Sequence, residues 1–425
     1  MFRRPPDARS ARRGAPAIRI EAVRPDPPSG WSLELQSPRA EAESDAHAVV
    51  IAGALGGDGG AAESVRAVFR GRPLRSAPLE GSGDARRFRL VIGTPGLPER
   101  FTLGIQAIGG ARQQGLARIE VSRQRVRPAY EPMLRPLIVS CLPRSGSTRL
   151  MQLIAAHPEV VAGRRYPLET YAARWWLQLV KVASDPADFA GSLLPNDLGN
   201  DPGRLGNPPH HLADDPPGFE WMGRENPALV SAYALSSIDA FYRHVAETQG
   251  EPVPVYFAEK WFVNAEPYDM FAEFYPDRRE VALTRDLRDV YASQSAFTRK
   301  NLGPPPEKRP RLARRIQGLL RRAETLLERI ERGGGGVHLV RYEDFVTDPA
   351  AVVDGVFRFV GVEGDAPGVR ALLATEAADD RMAGHVTSSS ITSSVGRWRT
   401  DVDPGERDEL EELVAPLNAR FGYGD

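Results

Sequence analysis

Cysteine is almost absent from this chain of 425 residues: Cys141 stands alone, which excludes an intrachain disulfide framework and any zinc site of cysteine type. A lone cysteine fits a reducing compartment. No apolar run approaches the roughly 18 residues needed to cross a bilayer, and the opening Met1-Phe-Arg-Arg-Pro-Pro-Asp-Ala-Arg-Ser10 lacks the apolar core of a secretory signal. The expectation is a cytoplasmic protein without a transmembrane segment. An excess of charge is missing too. With 55 basic and 56 acidic side chains the net charge is −1, which argues against a nucleic-acid partner, because duplex binding needs a strongly basic surface to neutralise phosphates. Any basic site must be local. Lysine occurs only at 181, 260, 300 and 308, so arginine carries nearly all the positive charge. What is present is ordinary globular composition, 41% hydrophobic, over a length that suits two domains with cores of their own.

Residues 1–16 are Arg-, Pro- and Ala-rich with little apolar pattern, and read as a disordered tail. From 17 to 123 apolar residues alternate in short runs, such as Phe88, Leu90, Ile92 and Leu103, Ile105, separated by turn formers. About seven strands fit, as expected of a β-sandwich-like accessory domain. Residues 124–135 form a polar linker. Beyond it, 136–425 alternates strand-like runs with helical patterns, the signature of an α/β domain with a parallel central sheet between helical layers. Pro136–Leu142, Val281–Thr284 and Val337–Val340 read as core strands and Thr148–Ala156 as a helix. Leu312, Ile316, Leu319, Ala323, Leu326 and Ile330 mark the apolar face of an amphipathic helix.

Two stretches carry chemistry. Leu142-Pro-Arg-Ser-Gly-Ser-Thr148 lies between a strand and a helix, where backbone N–H groups, hydroxyls and Arg144 could cradle a phosphate or sulfate. It lacks the lysine of GxxxxGK[ST], which disfavours a metal-nucleoside-triphosphate enzyme. Plain helix capping by serine is the alternative. The second stretch, Leu283-Thr-Arg-Asp-Leu-Arg-Asp-Val-Tyr-Ala-Ser-Gln-Ser295, places Arg285 at a strand end and Ser293 two helical turns later.

Together these stretches resemble the sulfotransferase family, which uses 3′-phosphoadenosine 5′-phosphosulfate (PAPS) as donor. Pro143-Arg-Ser-Gly-Ser-Thr148 is similar to the family's 5′-phosphosulfate loop, in the arginine form common among carbohydrate and bacterial members. Arg285 and Ser293 resemble its 3′-phosphate pair. Leu339-Val-Arg-Tyr-Glu-Asp-Phe345, Ser393-Ser-Val-Gly-Arg-Trp-Arg399 and Phe421-Gly-Tyr423 extend the likeness over 136–425. The resemblance implies a P-loop-like three-layer fold, with PAPS held by Arg144, Ser145, Gly146, Ser147, Thr148, Arg285, Ser293 and Arg397. It implies Glu169 as the base for an acceptor hydroxyl and Lys260, in Phe257-Ala-Glu-Lys-Trp261, near the donor sulfate. No metal is expected, since a sulfuryl group carries less charge than a phosphoryl group.

The residues alone leave several points open. Glu169 could pair with Arg164 or Arg165 instead. His157 precedes Pro158 and reads as a helix end, while His210 and His211 could wall an acceptor pocket or sit in a solvated turn. The acceptor could be a glycan, a lipid or another hydroxyl-bearing small molecule. The β region could bind a carbohydrate polymer, mediate homo-oligomerisation or shield the catalytic domain. A kinase-like nucleotide-binding protein and a catalytically inert binding protein with a partner-binding β module are the competing functional classes.

Overall fold

The computed structural model describes residues 16–58, 62–110, 112–184, 221–263, 268–303, 310–364, 366–374 and 392–424. The tail at 1–15, His210 and His211, Pro304–Pro306 and the serines before Ile391 lie outside the described residues. Nine strands come first: β1 (Ile18–Pro25), β2 (Trp31–Ser37), β3 (Glu43–Ser44), β4 (Ala48–Gly57), β5 (Ser64–Phe69), β6 (Arg72–Pro78), β7 (Ala85–Gly93), β8 (Arg100–Gly109) and β9 (Arg112–Arg123). Then follow β10 (Arg135–Cys141), α1 (Ser147–Ile154), β11 (Val160–Val161), α2 (Ala172–Ser184), α3 (Asn226–Gln249), β12 (Tyr256–Phe262), α4 (Tyr268–Phe274) and β13 (Arg279–Thr284). The remainder is α5 (Leu287–Leu302), α6 (Leu312–Gly333), β14 (Val337–Arg341), α7 (Tyr342–Thr347), α8 (Pro349–Val360), α9 (Pro367–Leu373), α10 (Trp398–Asp401) and α11 (Pro404–Arg420).

The described residues divide into two compact units. The first draws on Met1–Glu131, Trp176–Leu235 and Asp269–Phe274, and the second on Pro132–Trp175, Ser236–Tyr268 and Tyr275–Asp425. In the first, β3-β1-β9-β8-β5-β6 form one antiparallel sheet and β2-β4-β7 another. Alternation explains both. Along β8, Phe101, Leu103, Ile105 and Ala107 are buried while their neighbours are less so, and they share one core with Ile51, Leu55 and Leu90 of the other sheet. Two strands exceed the seven read from the sequence. β3 is two residues long, and β6 has no buried residue and so no period-two apolar signal. The β5–β6 hairpin turns on Arg70 and Gly71, both left-handed at φ 49° and 75°, the geometry a two-residue hairpin favours.

In the second unit five strands pair in parallel in the order β11-β12-β10-β13-β14. Every residue of β10 after Arg135 is buried, as a central strand covered on both faces requires. Val139, Cys141, Val281 and Leu283 join one apolar cluster with α1, α7 and α8. Ala282 points the other way, into a cluster with α5, α6 and α11. Helices therefore cover both faces, giving three layers. The buried face of α6 is the one the sequence marked, from Leu312 through Ile316, Leu319 and Ala323 to Leu326. Strand order reverses between β10 and β13, because the chain leaves β10 toward β11 and leaves β13 toward β14. Ligands of open α/β sheets bind outside strand ends at such a point. Cys141 stands level with both Phe262 and Leu283, so the loops leaving β10, β12 and β13 emerge side by side.

One buried ion pair organises the first unit. Arg123, at the end of β9, forks onto both carboxylate oxygens of Glu273 in α4 and also donates to the Thr94 carbonyl. Glu273 further accepts the Val126 amide at 2.8 Å and the Gly96 amide at 3.4 Å. Burial pushes the Glu273 carboxyl up while Arg123 pulls it back, and burial lowers the Arg123 guanidinium. Arg123→Met leaves a buried carboxylate without its cation, and chemical denaturation is expected to register a loss of about 3–5 kcal/mol. The raised carboxyl takes up a proton on folding in that variant, so the deficit shrinks at pH 5 and grows toward pH 8. A deficit independent of pH would show that Glu273 is not the group left stranded.

Candidate functional site

The chain leaves β10 through Leu142-Pro-Arg-Ser-Gly146 and enters α1 at Ser147. Two left-handed residues make this turn, Arg144 at φ 67° and Gly146 at φ 83°. A Cβ at 146 would also lie 2.4 Å from the Tyr342 ring, so the position excludes side chains both by conformation and by contact. Gly146 is the N-cap of α1 and no side chain caps the helix. Ser145 donates instead to the Leu142 carbonyl, 2.7 Å away, tightening the loop on itself. Serine capping therefore does not account for the stretch. The first-turn amides of α1 are left to the loop, with the partial positive charge of the helix end behind them.

Arg285 leaves the end of β13 beside this loop and is 3% exposed. Its guanidinium donates to the Arg144 carbonyl at 2.8 Å and to the Ser394 carbonyl, and lies 4.4 Å above the Tyr342 ring. Its Nε is buried and has no hydrogen-bond partner among the described residues. Asp286 caps α5 by accepting the Arg288 amide at 2.9 Å, and α5 carries Ser293 inward. Ser293 accepts from Arg144 Nε at 3.3 Å, and the Phe297 ring supports the same guanidinium at 4.9 Å. The two sequence stretches thus touch. Burial lowers the proton affinity of Arg144, and the neighbouring Arg285 and Arg397 lower it further. Three guanidinium groups so placed repel one another, and an anion among them relieves that repulsion.

Residues 394–398 close onto this cluster. Asp289, one turn after Arg285, accepts the amides of Gly396 at 2.7 Å and Trp398 at 2.9 Å, while Ser394 Oγ meets the Tyr342 hydroxyl at 2.8 Å. Burial pushes the Asp289 carboxyl up, and these two amides draw it back down. Arg397 is buried and its Nε donates to Asp401 at 2.8 Å.

Lys260 and Glu169 are brought together on the other side of the loop. Lys260 projects from the middle of β12, 2% exposed, with Nζ 2.8 Å from Glu169 Oε1, 2.8 Å from the Pro167 carbonyl and 3.3 Å from Thr148 Oγ1. Arg164, one of the two surface partners the sequence offers for Glu169, pairs instead with Glu251 at 2.6 Å. Leu168 and Tyr171, flanking the carboxylate, are both left-handed at φ 64° and 53°, a conformation costing on the order of 1–3 kcal/mol each for such residues. Neighbouring contacts enforce it. Buried Glu259 accepts the Ala173 amide at 2.7 Å, Trp261 Nε1 at 2.6 Å and the Tyr242 hydroxyl, which fastens the start of α2 just after Glu169. The Tyr171 phenol is pushed up by burial and by Glu169, onto which it donates.

The remaining candidates are structural. His157 Nε2 lies 2.7 Å from the Glu363 carbonyl and Nδ1 accepts the Glu159 amide at 3.1 Å, so both ring nitrogens are occupied. Burial pushes the Cys141 thiol up to about 11 and leaves it unreactive. Sequence reasoning passed over Tyr342 and Asp289. Tyr342 lies inside the quoted Arg341-Tyr-Glu-Asp344 stretch, and Asp289 stands one helical turn from Arg285, which is the signal that could have found it.

Residues 136–366 match the model of the family described as the sulfotransferase family. No curated protein matches the chain. Among solved structures it is similar to the sulfotransferase domain from the Synechococcus PCC 7002 olefin synthase, at 18% identity over 71% of this chain and 100% of that one, with a TM-score of 0.40. A sulfotransferase from Alicyclobacillus acidocaldarius is similar at 16% identity, 68% and 94% coverage and a TM-score of 0.37. Mouse sulfotransferase SULT7A1 complexed with PAP is similar at 12% identity, 70% and 91% coverage and 0.37. The family match spans more than half of the chain and takes in β10 with its loop, β12, β13 and α5, and the chain belongs to the sulfotransferase family.

Proposed function

We propose that this protein transfers a sulfuryl group from PAPS to an acceptor hydroxyl on a glycan, lipid or other small molecule, by in-line displacement. The observation that carries the reading is the contact between two anion-binding elements, Arg144 on Ser293 and Arg285 on the Arg144 carbonyl, at the point where strand order reverses. The donor set suits PAPS: backbone amides, hydroxyls and guanidinium groups for its two anionic ends, including a buried Arg285 Nε with bonding capacity to spare. PAPS would supply a sulfur centre bonded to a phosphate leaving group. Arg144, Ser145, Gly146, Ser147 and Thr148 would hold the 5′-phosphosulfate, and Arg285, Ser293 and Arg397 the 3′-phosphate.

Glu169 would take the acceptor proton onto its carboxylate, which Lys260 and Tyr171 hold in one orientation. Lys260 would also stabilise charge on the transferring group through the hydrogens it does not give to Glu169 and Pro167. Fixed cations of this density could take the part that a divalent metal plays in phosphoryl transfer, and metal independence belongs to the proposal. The arginine form of the loop supports a carbohydrate or tyrosyl-protein-like bacterial branch. A tail at 1–16, a β-sandwich-like accessory module at 17–123, a linker at 124–135, a catalytic region at 136–425 and a cytoplasmic setting complete the reading.

Calorimetric titration of 3′-phosphoadenosine 5′-phosphate (PAP) without metal should give micromolar binding. Both Arg285→Ala and replacement of PAP by 5′-AMP should weaken it by at least about tenfold, the scale of a lost charged hydrogen bond. Binding that requires magnesium, or shows no preference for PAP, would favour the kinase-like class instead. Gly146→Ala should abolish PAP binding while leaving the melting temperature within a few degrees, because the clash is confined to the loop and Tyr342; retained affinity would show that the loop does not form the site. Glu169→Gln should leave PAP affinity unchanged and lower the rate of PAP release from PAPS, across a panel of hydroxyl acceptors, by about 100-fold or more. An unaltered rate would remove Glu169 as the base.

A further inference from the structure

Phe421-Gly-Tyr423 and the helix before it lie beyond the matched span of 136–366, and the site described so far gives them no part. They nevertheless reach the residues on either side of Arg285. Thr284 ends β13, and its Oγ1 lies 3.2 Å from the Tyr423 hydroxyl. The Asp286 carboxylate accepts Asn418 Nδ2 at 3.0 Å, and Asn418 Oδ1 accepts the Leu287 amide at 3.0 Å. The Asp286 amide donates to Glu343 at 3.1 Å, and Glu343 is in turn hydrogen-bonded to Tyr423. Residues 284, 286 and 287 are each fastened from outside their own strand and helix. The residue between them is Arg285.

Capping does not require this arrangement. Asp286 caps α5 with its own carboxylate on the Arg288 amide and Asn418 Oδ1 takes the Leu287 amide, but the bond from Asn418 Nδ2 to Asp286 satisfies no helix amide. It adds orientation. An amide that accepts through Oδ1 and donates through Nδ2 fits in one way only, which fixes the peptide between 286 and 287. Asn418 is 2% exposed, and the Arg341 guanidinium covers the Tyr423 ring at 4.5 Å, so neither tie is open to competition from water. The direction in which Arg285 leaves the strand is set by these contacts, and hydrogen bonds to an anion tolerate little error in that direction.

We propose that Asn418 and Tyr423 are positioning residues for Arg285, so that the last turn of α11 and residue 423 set the preference of the nucleotide site for a 3′-phosphate. The inference rests on the reading that Arg285 meets that phosphate. The test measures PAP and 5′-AMP affinities by calorimetry on the full chain for wild type, Tyr423→Phe, Asn418→Ala and, as reference, Arg285→Ala, with melting temperatures alongside. The preference for PAP over 5′-AMP should fall by about tenfold in Asn418→Ala and several-fold in Tyr423→Phe, while 5′-AMP affinity stays within about twofold of wild type. A preference lost in Arg285→Ala but unchanged in both other variants overturns the positioning role and leaves the site reading intact. A preference unchanged in Arg285→Ala overturns the reading of Arg285, and the proposal with it. Equal loss of both nucleotides makes the ties merely structural and overturns the proposal as well. Tyr423→Phe removes a single oxygen without changing the ring, and it decides alone if Asn418→Ala does not fold.

Discussion

The hydrogen bond from the Arg285 guanidinium to the Arg144 carbonyl ties the end of β13 to the loop after β10. It joins residues that leave neighbouring strands toward opposite sides of the sheet, where no shared helix could tie them. Everything around it answers to that contact. Gly146 lets the loop pass close under Tyr342, Tyr342 stacks on Arg285, and Asp289 brings the Gly396 and Trp398 amides in from above. The cost is crowding among like charges. Burial lowers the proton affinity of Arg144, and the nearby Arg285 and Arg397 guanidinium groups lower it further.

Glu169 illustrates a different economy. Its segment bends twice through left-handed conformations at Leu168 and Tyr171, which a free chain would avoid. Strand β12 holds it from both sides, since consecutive residues of a strand face opposite ways: Lys260 grips Glu169 and Pro167, and Glu259 grips the start of α2. β11 pairs with β12 only at Tyr256 and Phe257, which leaves the rest of that edge for the segment to wrap. A two-residue edge strand thus makes room for a carboxylate.

Legibility in the sequence followed locality. The 142–148 loop was readable because its geometry is local: a strand, a glycine and a helix start within a dozen residues. α6 was readable because its apolar face repeats. β12 carries no such pattern, since Glu259 and Lys260 in its middle break the apolar run that marks its neighbours. The Lys260 partnership of Glu169 was invisible for another reason: the two lie far apart in the chain and nothing local in either signals the other. β6 escaped because an edge strand with no buried residue has no pattern to read.

The Arg123–Glu273 pair bears on how the chain is made. Its two ends are separated by 150 residues, so the contact closes a loop that contains β10, α1 and β12. A ribosome extends the chain from the amino end, and the antiparallel strands emerge long before α4 does. Until Glu273 appears, Arg123 must either stay solvated or bury its charge unpaired, which is the costlier course. The first unit is therefore completed late, after the first central strands of the parallel sheet have already been synthesised, and the two halves of the protein share a timetable although each has its own core.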